Sequence, residues 1–284
     1  MDRQPANRGE IRDFLASRRA KITPEQAGLP TSSRRRVTGL RREEVAVLAG
    51  VSTEWYTRLE KGHIGGVSED VLDAVARALR LDDDERTYLF DLARSSRHPS
   101  RTPSRRRDVE IPPHVQWMLD SMTMSSAFIR NGRTDIVAAN PLAQALLAPL
   151  YNSATADKHG RPNITRFIFL DPAAHTFYPD WTTASTATAA LLRAEAAREP
   201  HDQALRTLIG ELSTLSAQFR TLWAAHDVLI HHNGTKRLHH PTVGPLELAF
   251  QSLDLPLSPR ALHELIVYTA EPGSASEERL KLLA

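Results

Sequence analysis

Thr53, Glu54, Trp55, Thr57 and Arg58 lie close together in the chain, and their types suit contact with a nucleic-acid duplex. The guanidinium fork of Arg58 matches the acceptor edge of guanine or a phosphate, and an indole such as Trp55 can lie on a thymine methyl or a sugar. Ser52 opens the same stretch, and Arg41, Arg42 and Lys61 flank it as phosphate candidates. That chemistry works only if one rigid helix presents these side chains together. The surrounding segment LRREEVAVLAGVSTEWYTRLEKG, which begins at Leu40, reads as a helix, a tight turn and a second helix.

The spacing has physical reasons. Val45 and Leu48 form an apolar stripe, and Ala46 is small where the second helix must cross. Gly50 stands where the chain reverses, and glycine takes a left-handed conformation without steric cost. Val51 is placed to pack under the turn. Ser52 is a good N-cap, and Tyr56 and Leu59 are spaced to face inward. Burial of Trp55 is the competing reading for that side chain. An ordinary helical hairpin would share some of these features, but it does not explain arginines at 34–36 and 41–42 just before the first helix.

Charge is segregated in the same sense. Residues 1–107 hold 22 Lys/Arg and 16 Asp/Glu, a balance of +6, whereas residues 108–284 hold 14 and 18, a balance of −4. A polyanionic partner suits the first half alone. The absence of cysteine excludes disulfides and thiolate metal sites. No apolar run is long enough for a membrane helix and no N-terminal segment resembles a signal peptide, so a cytoplasmic location is expected.

The elements follow from hydrophobic period and punctuation. A helix is expected over about Arg8–Lys21, then the helix pair, then a helix from Ser68 with acidic first-turn residues, then one from about Asp83. These make an all-α domain of five helices over 1–94. Residues 95–113 are rich in proline and arginine and read as a linker, with Arg105, Arg106 and Arg107 as further phosphate candidates. Residues 114–284 read as an α+β domain with an antiparallel sheet of about five strands and helices on one face. A short helix is expected from His114, a hairpin over 127–140 through Asn131-Gly132, then PLAQALLAPL as helix. Helices are expected at 182–198 and 202–226, strands at 235–240, 244–253 and 264–270, and a last helix at 276–283.

The segments GLRREEVAVLAGVSTEWYTRLEKG, VLDAVARALRLDDDER and YLFDLAR resemble the MmyB-like subgroup of the Cro/repressor-like, or XRE-type, helix-turn-helix regulators. The second half carries the same resemblance in AFIRNGRTDIVAANPLAQAL, NITRFIFLDPAAHTFYPDW, GELS, FRTLWAAHDV, TKRLHHPTVGPLEL and VYTAEPGS. Thr38, the HIGGV loop and LSAQF at 215–219 depart from the subgroup's usual pattern. The resemblance implies a transcription regulator that binds double-stranded operator DNA as a homodimer, the operator being palindromic. It also implies a PAS-like second domain holding a small apolar ligand such as a fatty acid.

A PAS-like pocket directs attention to Phe167, Phe169, Phe177, Tyr178, Trp181, Trp223 and Tyr268, each of which could equally be plain core. Arg166 and Arg237 are the candidate carboxylate anchors. His226, His231, His232, His239 and His240 show no zinc-site spacing, and adjacent strand residues point to opposite faces, so no metal and no other cofactor is expected. The GxSxG, GxxxxGK[ST] and GxGxxG signatures are absent, so no enzymatic activity is expected. A ligand-free dimerisation or protein-interaction module is the alternative reading of the second domain.

Overall fold

Ile11, Phe14 and Leu15, three and four residues apart, are fully buried and define the inner face of α1 (Pro5–Lys21). The computed structural model describes residues 5–30, 35, 37–97, 110–156, 160–228, 232–257 and 262–284. After α1 come α2 (Arg42–Ala49), α3 (Thr53–Glu60), α4 (Glu69–Ala78) and α5 (Asp83–Arg97). Their apolar faces meet in one core that includes Leu40, Val45, Tyr56, Leu59, Leu72, Val75, Tyr88, Leu89 and Leu92. The five expected helices are present. Helix α5 runs to Arg97, through the first residues of the expected linker. Arg105, Arg106, Arg107 and the rest of 98–109 lie outside the described residues.

The chain forms two compact units, and residues 193–202 and 224–229 cluster with residues 1–104 in the first. Within that unit Arg193 is 1% exposed and pairs with Glu10. Its guanidinium also lies 3.0 Å from Nδ1 of His226.

The second unit begins with α6 (Pro113–Asp120), β1 (Ser126–Asn131) and β2 (Ile136–Ala139). Helices α7 (Pro141–Leu146), α8 (Ala148–Tyr151), α9 (Ile164–Leu170) and α10 (Ala174–Phe177) follow. Then come α11 (Trp181–Arg198), whose residues from 193 on cluster with the first unit, α12 (Gln203–Leu215), α13 (Ala217–Ala224), β3 (Asn233–His240), β4 (Gly244–Asp254), β5 (His263–Thr269) and α14 (Ala275–Lys281). The strands form one antiparallel sheet in the order β2-β1-β5-β4-β3. Alternation along each strand places Phe128, Leu238, Leu246, Leu248, Ile266 and Tyr268 in the main core with Phe167, Phe177 and Tyr178.

Four expectations need correction. The sheet carries helices on both faces: Val115 and Leu119 of α6 pack on Ala127, Ile129 and Leu265, whose side chains point away from the main core. The helix expected over 202–226 is two helices, because the Ser216 hydroxyl caps the second by accepting from Phe219 N–H at 3.2 Å. PLAQALLAPL likewise splits in two, and Pro149, which has no N–H, lies in the first turn of the second piece. The hairpin turn is longer than Asn131-Gly132 alone: Asn131 N–H donates to the Asp135 carbonyl at 3.1 Å, and Thr134 carries the positive φ, 65°. The Asn131 side chain builds this turn by accepting from the N–H groups of Arg133 and Asp135, both at 3.0 Å.

Candidate nucleic-acid interface and ligand site

Gly50 ends α2 in the left-handed region, φ 67° and ψ 31°, and its N–H reaches the carbonyls of Ala46 and Val47. The Ser52 hydroxyl then accepts from Trp55 N–H at 3.1 Å and starts α3. Val45, Ala46 and Ala49 of α2 face Tyr56 and Leu59 of α3 in the core, and half-buried Val51 packs beneath the turn. Leu48 does not complete the stripe expected with Val45. It is 38% exposed beside Val47 at 75%, because the small Ala46 and Ala49 make the close helix contact instead.

The entry to α2 is charged and fixed. Arg41 N–H donates to Glu44 Oε2 at 2.7 Å, which caps the helix, and the Arg35 guanidinium holds the same carboxylate at 2.8 Å. The hydrogen bond from Arg35 and, after it, the cap bond from Arg41 outweigh the upward push of burial and bring the Glu44 pKa down to about 2. At the far end of α3, Glu60 is 1% exposed. Two Arg19 hydrogen bonds at 2.9 Å and one from Arg42 at 3.0 Å satisfy it. Burial pushes the Glu60 pKa up, but the two arginines outweigh it and leave it below the usual value.

Between these anchors Ser52, Thr53, Glu54, Arg58 and Lys61 are exposed, and Trp55 and Thr57 are half-buried. Trp55 packs on the core with its inner edge. Arg41 and Arg42 are exposed but engaged, with Glu43 at 3.3 Å and Glu60 at 2.9 Å. Arg58 has no ion pair among the described residues. It lines a concavity of about 360 Å³ with Trp55, His63, Gly65, Gly66 and Ser68. Ser68 occupies the N-cap of α4 by backbone geometry, and its hydroxyl makes no cap bond. A cation, an indole, an imidazole and a hydroxyl around one concavity form a surface suited to phosphate and sugar edges.

In the second unit the aromatic candidates separate into packed groups. Phe167, Phe177 and Tyr178 are buried and meet edge to face. Phe169 contacts Trp181 and Phe219, and Phe219 stacks on Trp223 at 5.4 Å. Tyr268 lies between Phe128 and Phe250. Burial raises the Tyr178 and Tyr268 pKa values, the latter to about 12. Both expected anchors face carboxylates. Arg166 forks onto Glu211 at 2.8–3.2 Å, and Arg237 meets Asp180 at 2.6 Å.

An apolar cavity of about 370 Å³ lies elsewhere in the unit, lined by residues such as Met124, Leu142, Ala270, Pro272, Leu280 and Lys281. None of these was in the expected ligand set. The amphipathic C-terminal helix was the available signal, since Leu280 is buried while Lys281 is exposed.

Among the histidines, His239 is exposed and His240 buried, as strand alternation requires. Thr242 N–H donates to His240 Nδ1 at 3.2 Å, so Nε2 carries the proton and donates to the Ala145 carbonyl at 3.1 Å. Burial lowers the His240 pKa. His231 lies outside the described residues. Among the described residues no His, Cys, Asp and Glu group has the arrangement of a metal site. No helix there is long and apolar enough to cross a membrane.

Residues 13–89 match the helix-turn-helix domain model. Residues 111–283 match the model of the MmyB-like transcription regulator ligand binding domain. No curated protein matches the chain.

Proposed function

Since the chain belongs to the MmyB-like transcription regulators, we propose that α3 reads operator DNA and that a small apolar ligand in the second unit modulates the reading. The helix-turn-helix domain is the DNA-binding part and the MmyB-like domain the ligand-binding part. The observation that carries the DNA-binding half is the exposed Arg58, without an ion pair among the described residues, on a helix clamped by Glu60 at its end. Thr53, Glu54, Trp55 and Thr57 lie on the same short helix and contribute base or sugar contacts. Arg41, Arg42, Ser52 and Lys61 position the backbone. The protein acts in the cytoplasm as a homodimer, and two α3 helices read half-sites of a palindrome about one helical turn, ~10 bp, apart.

The ligand is fatty-acid-like, and the second unit is PAS-like. The apolar cavity beside α14 and the five-stranded sheet support that reading. Regulation is a population shift: the ligand favours one of two domain arrangements, and only one spaces the recognition helices for the operator. The close edge-to-face packing of Phe167, Phe177 and Tyr178 favours a second reading, in which the domain is a ligand-free dimerisation module.

Footprinting on DNA upstream of the gene, with and without a lipid extract, tests the proposal. A protected palindrome whose protection changes with the extract is the expected result. Protection indifferent to the extract would leave the second reading, and no protection at moderate salt would reject that operator.

A further inference from the structure

The match to the ligand-binding model runs over residues 111–283, yet residues 193–202 and 224–229 cluster with the helix-turn-helix residues in the first unit. Ala197 and Val228 are buried in the same apolar core as Ile11, Phe14 and Tyr88. Two pieces of the ligand-binding sequence therefore complete the core that α1 and α5 line.

The polar contacts of these pieces converge on α1. Arg193, almost fully buried, pairs with Glu10 of α1, and the same carboxylate accepts from the Tyr88 hydroxyl of α5 at 3.2 Å. Arginine has no acceptor, so the Arg193 guanidinium donates to Nδ1 of His226 at 3.0 Å. Burial first, and then Arg193, lower the His226 pKa, so the ring stays neutral and able to accept. Further along α1, buried Arg18 donates to the His226 carbonyl and pairs with Glu85 of α5 at 2.8 Å. Lys21 meets Asp227 at 2.6 Å.

His226 holds φ 54°, a left-handed conformation unusual for a residue with a side chain, while its ring and its carbonyl each meet an arginine. Strain of that kind persists where the surroundings over-determine it. A buried arginine–carboxylate pair is a poor source of stability, because an apolar pair of similar volume does as well or better, but its directional bonds fix position. What is fixed here is α1. Its last turn carries Arg19, which grips Glu60 at the end of α3.

We propose that Arg193 is a positioning residue for DNA reading: clasped to Glu10 it sets α1, and α1 sets α3 through Arg19 and Glu60. A piece of the ligand-binding sequence thus has a hold on the recognition helix. This rests on the reading of α3 as the helix that reads DNA.

The test uses the full chain and a duplex recovered on it from a random-sequence pool. Arg193→Met and Glu10→Gln are each expected to weaken binding of that duplex by about tenfold. The double variant should lose no more than either single variant, because the two residues act as one unit. Thr134→Ala, a destabilising change within the second unit, should bind the duplex as tightly as the unsubstituted chain at a temperature where every variant is folded. Coupling is reciprocal, so in the unsubstituted chain the duplex should slow amide exchange at residues 194–198 by about threefold or more, read by mass spectrometry. That measurement needs no variant to fold. Unchanged affinity in Arg193→Met, an equal loss in Thr134→Ala, or exchange at 194–198 indifferent to the duplex would overturn the clasp and leave α3 as the reading helix. Failure to recover any bound duplex would overturn both.

Discussion

Arg19 of α1 grips Glu60 at the end of α3 through two hydrogen bonds of 2.9 Å, so the recognition helix is fixed by an ion pair with an almost fully buried carboxylate. Removing Arg19 leaves that carboxylate short of its main partner. We expect Arg19→Ala to cost about 3–5 kcal/mol, measured by urea unfolding. Arg42 touches the same carboxylate but is half exposed, so Arg42→Ala should cost only about 0–1 kcal/mol. Equal costs for the two variants would show that the Arg19 pair does not fix α3.

Arg58 is not committed to any carboxylate among the described residues, so its truncation should not affect stability. Arg58→Ala is expected to weaken specific DNA binding by about 1–3 kcal/mol with an unchanged unfolding midpoint. A gel-shift titration at fixed salt, run once the operator is known, decides it. Unaltered affinity would remove Arg58 from the contact set.

Much of the first unit was legible because its signals are local. Gly50 and Ser52 each specify a backbone state through their own chemistry, and both states are present. Leu48 was misplaced because its burial depends on how closely a second helix approaches, which spacing along one helix does not reveal. In the second unit Arg237 pairs with Asp180, a residue far away in the chain, and strand periodicity does not reveal such a partner. The cavity beside α14 joins residues from three distant parts of the chain, and no local pattern marks such a convergence.

The turn between β1 and β2 stores strain in an unusual place. Thr134 adopts φ 65° and is fully buried, and its hydroxyl lies 2.6 Å from that of Thr165 at the start of α9. Thr134→Ala keeps the left-handed strain and loses that bond, at an expected cost of about 1–3 kcal/mol. Thr134→Gly loses the same bond but releases the strain, so it should be less destabilising than the alanine variant by about 1 kcal/mol. Thermal unfolding of the two variants gives the order. The reverse order would mean that the backbone there relaxes freely.

Glu44 links the entry of α2 to pH. Its pKa is brought down to about 2 in the folded chain by the Arg35 bond first, with the Arg41 cap, against the upward push of burial. A carboxylate whose folded pKa lies below its unfolded value binds fewer protons when folded. Its contribution is therefore complete above the ordinary glutamate range and is lost as pH falls from there toward about 2. Glu44→Gln should be less stable than the unsubstituted chain at neutral pH, because glutamine keeps an acceptor but not the charge that Arg35 pairs with. The gap between the two urea midpoints should then narrow steadily with acidification and vanish near the folded pKa. A gap independent of pH would assign the effect to shape or capping rather than to charge.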